Sequence, residues 1–178
     1  DCLLRFNGMF AFAIWDKRKQ ELFLARDHLG IKPLYYTLIG DRLVFSSEIK
    51  ALLKVPGCPR ELDVDSLADL FTFRYVPSPK TLFKSIFKLP PAHMMRATKK
   101  EIQLSCYWNY TPVIRKTWKE AELIEEYQTM LEDAVRLQMR SDVPLGLFLS
   151  SGIDSGVLLA IMHKYSLGPV QAFTIGFE

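Results

Sequence analysis

The 178-residue sequence predicts an α+β region followed by the beginning of an α/β region. Its first half alternates short apolar runs with turn residues at hairpin distance, the pattern of antiparallel strands. Residues 119–139 then carry one apolar stripe at helical spacing. Finally, the apolar run 145–149 stops at Ser150, Ser151 and Gly152 and passes straight into a second helical pattern. That order of strand, polar loop and helix is the start of a parallel unit.

Taking the chain in order, residues 8–15 are apolar on both alternating sets, which predicts a strand covered on both faces. Phe10, Phe12, Ile14 and Trp15 are then core residues, and Met9 joins them. Residues 16–20 are a polar turn, and residues 21–25 return as a second strand. After the loop 26–33, residues 34–38 and 43–46 make another hairpin around Gly40 and Asp41, so the expectation is one antiparallel meander. Residues 48–54 form a short helix ended by Pro56 and Gly57, and residues 63–73 form another, opened by an acidic turn. A hairpin follows, strands 94–98 and 102–106 around Lys99 and Lys100. In the stripe of 119–139, Leu123, Tyr127, Met130, Leu131, Ala134, Val135 and Leu137 are packing residues, and the glutamates opposite are a solvated face. The helix 153–165 presents Ile153, Val157, Leu158, Ile161 and Met162, and residues 170–176 form a strand beside 145–149.

Composition narrows the function classes. Apolar residues make up 49% of the chain, enough for a sizeable core, and the formal charge of +3 is not clustered. A dedicated nucleic-acid surface and a polybasic membrane anchor are therefore not expected. No run approaches a membrane span and the first residues lack a signal-peptide pattern, so the expected compartment is the cytoplasm. Cys2, Cys58 and Cys106 have no metal-ligand spacing and read as reduced structural thiols.

The loop 150–155 is where chemistry is written. A strand that delivers a glycine loop into a helix N-terminus exposes unpaired N–H groups and the positive end of the helix dipole, which together suit phosphate. Ser150 and Ser155 add hydroxyls. It is neither Gly-x-x-x-x-Gly-Lys-Ser/Thr, nor Gly-x-Gly-x-x-Gly, nor the Gly-x-Ser-x-Gly of a nucleophile elbow. The plainer alternative is that Ser151 caps the helix and Asp154 complements its dipole. Ser150-Ser151-Gly152-Ile153-Asp154-Ser155 closely resembles the pyrophosphate-binding loop Ser-Gly-Gly-x-Asp-Ser of the ATP pyrophosphatase superfamily, with serine at the first glycine. Serine there costs roughly 1 kcal/mol or more if the position demands a left-handed backbone. Replacing it with glycine is then expected to improve the use of ATP.

Two further stretches extend the resemblance. Phe6-Asn7-Gly8-Met9-Phe10-Ala11-Phe12-Ala13-Ile14-Trp15-Asp16, then Arg26-Asp27, Gly30-Ile31-Lys32-Pro33-Leu34-Tyr35-Tyr36 and Ser47-Glu48 resemble the second half of the glutaminase domain of glutamine-hydrolysing asparagine synthetases. Tyr75-Val76-Pro77, Thr81-Leu82-Phe83 and Lys88-Leu89-Pro90-Pro91-Ala92-His93 are similar to the family's linker, which Tyr107-Trp108 closes. The resemblance implies the C-terminal half of an Ntn-type αββα glutaminase sandwich over 1–74, a linker with a hairpin over 75–115, and the start of a parallel-sheet, Rossmann-like ATP pyrophosphatase domain over 116–178. Taken by themselves, Arg26 and Asp27 read as an ordinary surface pair, whereas the resemblance implies that they belong to a loop between the glutaminase and synthetase units; His93 reads as a structural hydrogen-bonding residue.

What the family does is to make asparagine from aspartate, glutamine and ATP through a β-aspartyl adenylate. By resemblance, Leu149, Ser150, Ser151, Gly152, Asp154, Ser155 and Ile175 contact ATP or its pyrophosphate, Asp154 acting through Mg²⁺, and Met9 lines an ammonia passage. The implied partners are glutamine, aspartate and ATP; a homodimer stays open. The family's glutaminase nucleophile is an N-terminal cysteine. Cys2 follows Asp1 and precedes Leu3-Leu4-Arg5, unlike the family's Cys-Gly-Ile, so the nucleophile is expected before Asp1 and the chain is expected to be an internal fragment without glutaminase activity. An adenylating enzyme with another acceptor, similar to β-lactam synthetase, and a degenerate non-catalytic homologue are the alternatives.

Overall fold

The computed structural model describes residues 2–113, 117 and 119–176. Two compact units make up the chain, Asp1–Thr111 and Pro112–Glu178.

A single turn of 3₁₀ helix, Cys2–Arg5, opens the first unit. Strands β1 (Ala11–Asp16) and β2 (Glu21–Arg26) pair antiparallel across a turn in which the Asp16 carboxylate accepts the N–H groups of Arg18 and Lys19 at 2.8 and 3.0 Å. Strands β3 (Tyr35–Ile39) and β4 (Arg42–Ser46) pair around Gly40, followed by helices α1 (Ile49–Leu52) and α2 (Val64–Phe73) and then β5 (Ile86–Lys88), β6 (His93–Ala97) and β7 (Ile102–Cys106).

These strands do not form one meander. They form a four-stranded sheet, β1-β2-β6-β7, and a three-stranded sheet, β4-β3-β5. Residues 27–34 carry the chain from one sheet to the other, so β2 takes β6 as its second partner, with Leu24 opposite Met95, while β3 takes β5. Strand β5 escapes a sequence reading because three residues cannot display an alternation.

The sheets share a core. Leu24, Leu34, Leu89 and Met95 are buried together with Tyr36, Leu43 and Phe45 packed against them. Full burial of one such side chain contributes roughly 1.5–3 kcal/mol. The other face of β3 sends Tyr35 and Ile39 into a second cluster with Leu52, Cys58 and Ile86, so alternation along β3 feeds two cores.

Strand β1 departs from expectation. It lies at a sheet edge, and Ile14 and Trp15 are half exposed, as is Met9 just before it. Phe10 and Phe12 are partly covered, within a run of ring contacts that also takes in Phe6 and Phe23. The hairpin expected inside 75–115 supplies β6 and β7 to the first sheet, and the division between units falls after Thr111, within the 75–115 segment.

In the second unit, α3 (Glu120–Gln138) precedes β8 (Gly146–Phe148), α4 (Ile153–Tyr165) and β9 (Gln171–Phe173). Strands β8 and β9 are parallel, joined through α4, with Phe148 opposite Phe173. Val135, Ile161 and Met162 are buried, with Leu131, Leu147, Leu158 and Val170 against them. A side chain at Gly146 would stand 2.6 Å from the Phe173 ring, so glycine permits that approach. The stripe on α3 packs only in its C-terminal half, and Tyr127 and Met130 are exposed. β8 is not the buried strand its composition predicts. Helices cover its Leu147 side, whereas Phe148 on the opposite face is 83% exposed. Among the described residues, no helix is long and apolar enough to cross a membrane.

Candidate functional site

The polar loop starts where the parallel pair ends. Leu149 N–H donates to Phe173 O at 2.9 Å, and Thr174 Oγ1 donates to Leu149 O at 2.9 Å, which brings the segment after β9 beside the loop. Ile175, next in the chain, is exposed. Of the residues expected at a nucleotide site, Leu149, Ser150, Ser151, Gly152, Asp154, Ser155 and Ile175 thus occupy one end of the β8–β9 pair and the first turn of α4.

Within the loop, Gly152 N–H donates to Ser150 Oγ at 3.1 Å, and Ser150 N–H donates to Ser155 Oγ at 3.2 Å. The two hydroxyls lie 3.0 Å apart. Ser155 Oγ is also 3.1 Å from the carbonyls of both Ser150 and Gly152, although its single proton serves one acceptor at a time. Gly152 is the N-cap of α4, and the first helical bond runs from Gly156 N–H to Gly152 O at 3.2 Å. Ile153, Asp154 and Ser155 consequently present N–H groups that no helical carbonyl can take.

Ser151 does not cap the helix. Gly152 holds that position, and the Ser151 side chain is exposed with no hydrogen bond among the described residues. Nor is it strained: among the described residues, the non-glycine residues with positive φ are Gln20, Arg74 and Ala92. The backbone cost expected of a serine here is absent.

Asp154 is exposed in the first turn of α4, and its carboxylate likewise has no hydrogen bond among the described residues. No group of three or more His, Cys, Asp or Glu is placed to hold a metal ion among them. One exposed carboxylate beside unpaired N–H groups still suits magnesium, which keeps waters and draws other ligands from phosphates. The residues present therefore fit a nucleotide with Mg²⁺.

Residues 1–108 match the family model described as glutamine amidotransferase domain, and residues 126–178 match the one described as asparagine synthase. The chain belongs to the glutamine amidotransferase family. Among relatives of this chain, a protein of Methanocaldococcus jannaschii named putative asparagine synthetase [glutamine-hydrolyzing] 2 is 39% identical over 183 residues, covering 100% of this chain and 35% of the relative. Asparagine synthetase [glutamine-hydrolyzing] 3 of Bacillus subtilis is 36% identical, again over 100% of this chain and 30% of the relative. A Gibberella zeae protein named amidase chry2 is 37% identical over 84% of the chain and 22% of its own length. The chain thus spans about a third of the length of the curated relatives it matches.

In the amidotransferase unit, the Arg26-Asp27 pair is not at the surface. Arg26 is 9% exposed and Asp27 1%. Arg26 donates through Nε to Lys32 O at 2.7 Å, through Nη1 to Leu89 O at 2.6 Å and through Nη2 to Gly30 O at 2.6 Å. The Asp27 carboxylate accepts N–H groups of Leu29, Ile31 and Lys32 at 3.2, 2.9 and 2.9 Å. Burial pushes the Asp27 carboxyl up, but those N–H donors outweigh it and hold the pKa below the usual carboxylate value. Burial also lowers the Arg26 pKa, opposed by the charge of Asp27. The sequence signal was the polar pair inside an otherwise apolar stretch, read as a surface feature because its partners are backbone atoms. His93 is a structural residue as expected, its Nδ1–H donating to Pro91 O at 2.7 Å.

Proposed function

We propose that this chain forms part of an ATP-dependent ligase that makes asparagine from aspartate with glutamine as nitrogen donor, through a β-aspartyl adenylate. The observation that carries the proposal is the Ser150 to Ser155 loop between a parallel strand and the N-terminus of α4, lying in the segment that matches asparagine synthase. Magnesium-bound ATP supplies the adenylyl group and a pyrophosphate leaving group.

The chain's own contribution is electrostatic. N–H groups of the first turn of α4 and the hydroxyls of Ser150 and Ser155 stabilise charge that develops on the departing phosphate oxygens. For Gly152 N–H to take part, it must exchange its bond to Ser150 Oγ for a phosphate oxygen. Asp154, acceptor-only when ionised, acts toward Mg²⁺. Ile175 borders the adenine, Leu149 contributes to the ATP site, and Ser151 keeps a free hydroxyl for the phosphate chain. Met9 lines the ammonia route in the first unit. We read that unit as part of an Ntn-type αββα glutaminase sandwich, supported by two sheets with a common core and a helix on the outer face of one. The second unit is the start of a Rossmann-like ATP pyrophosphatase domain, supported by the parallel pair joined through α4.

ATP-dependent pyrophosphate release by the intact protein, with aspartate and ammonia, tests the proposal. Asp154→Asn is expected to lower the rate well before it lowers thermal stability. A loss of stability with the rate unchanged returns Asp154 to a helix-dipole role. Release that ignores aspartate but responds to other carboxylates identifies the alternative reading, the same adenylation with another acceptor. No release with any acceptor overturns both.

A further inference from the structure

Arg26 and Asp27 do more than hold their own loop. Asp27 N–H donates to Phe10 O at 2.8 Å, tying the loop to the entry of β1. Asp27 O accepts Ala92 N–H at 2.9 Å, and Ala92 O in turn accepts Tyr107 N–H at 2.9 Å. The Tyr107 hydroxyl closes the circuit by donating to Arg26 O at 2.7 Å. Burial, reinforced by the Asp27 charge, pushes that phenol up to about 12, so it stays a donor at any working pH. Add the Arg26 guanidinium on Leu89 O, and one dipeptide bonds the start of β1, the loop 27–33, the end of β5, the turn before β6 and the segment through which the chain leaves the first unit. Around it, His28 sits within 5.3 Å of the Tyr107 ring and 5.1 Å of the Trp108 ring.

We propose that Arg26 and Asp27 form a junction that makes loop 27–33 and the departing segment at Tyr107 open and close as one cooperative unit. Buried charges bonded to carbonyls and N–H groups of several segments cannot lose one partner cheaply, because the groups left behind are desolvated and unpaired. Opening at either end therefore strips partners from the other. Leu29 is 70% exposed and Ile31 55%, so the loop displays apolar side chains on a braced backbone. A contact made there is transmitted to the residues leaving the unit. This inference stands independently of the ligase activity proposed above.

Amide hydrogen exchange on the intact protein tests it. Tyr107→Phe removes one hydroxyl and leaves the ring packing in place. The junction requires the amides of Ile31, Lys32 and Ala92 to exchange about tenfold faster in that variant, with the amides of central strand β3 unchanged. Arg26→Lys, whose single nitrogen cannot reach the three carbonyls that Nε, Nη1 and Nη2 reach separately, is expected to accelerate Tyr107 N–H in return. Acceleration confined to residues next to the substituted one overturns the inference, and so does uniform acceleration that includes β3. Should Arg26→Lys fail to fold, Tyr107→Phe alone decides.

Discussion

The hydroxyls of Ser150 and Ser155 lie 3.0 Å apart, with Ser155 Oγ tied to the backbone of Ser150 and Ser150 Oγ to the N–H of Gly152, so the two side chains brace the loop between β8 and α4. Ser155→Ala removes the group that receives Ser150 N–H. A loss of about 0.5–1.5 kcal/mol in denaturant unfolding is expected, the net worth of one hydrogen bond. If the loop also serves ATP, the KM for ATP rises in the same variant, and Ser155→Thr restores both.

Ser151→Gly separates backbone from hydroxyl. Since Ser151 is not left-handed, no strain is relieved, and glycine adds disorder to the unfolded chain. The expected result is a destabilisation of roughly 0.5–1 kcal/mol with no gain in ATP use. A variant that binds ATP more tightly contradicts the geometry of this loop.

Gly30 is the reverse case. It has φ +66°, and a Cβ would stand 2.8 Å from Pro91 Cγ and 3.1 Å from Arg26 Cζ. Gly30→Ala is expected to cost about 1–3 kcal/mol through strain and crowding, read as a lower midpoint in thermal unfolding. An unchanged midpoint shows that the Arg26 junction yields easily.

Thr37 has no solvent exposure, and its Oγ1 has no hydrogen-bond partner among the described residues. A buried hydroxyl without a partner is destabilising by about 1–3 kcal/mol relative to one that is paired. Thr37→Val, similar in shape, is expected to leave stability equal or higher. Clear destabilisation reveals a partner for that hydroxyl in solution.

How much of this was legible in the sequence follows from the range of each interaction. Period-2 and period-3.6 patterns placed β1 to β4, α2, the β6–β7 hairpin, α3 and the β8-loop-α4 order, because those patterns are local. Pairing between strands is not local: nothing between Leu22 and Ala25 says that β6 is their second neighbour. The loop residues were visible as a motif, whereas the Ser150 to Ser155 bonds needed coordinates. Arg26 was misread because its acceptors are carbonyls, which every residue carries.

Glu132 gives the pH dependence. Lys164 Nζ at 2.7 Å, Tyr165 OH at 2.8 Å and Gln128 hold its carboxyl down to about 2, below its ordinary value of 4.5. A depressed folded-state pKa means that the folded protein releases this proton more readily than the unfolded chain does. The contribution is complete above the ordinary value and fades as pH falls from 4.5 toward about 2. The difference in thermal midpoint between wild type and Glu132→Gln is expected to shrink across that window. A constant difference assigns the side chain to packing instead.

The insertion of β6 between β2 and β7 sets rules for cutting this protein into pieces. Trimming at residue 74, where sequence alone draws the border, removes the neighbour that covers Leu24 and leaves the ladder of β2 unpaired along one side. A piece cut there carries a bare, apolar sheet margin, a template for fibrillar self-assembly. Severing after Thr111 keeps the margin capped by β7, so the usable seam lies some forty residues beyond the apparent one.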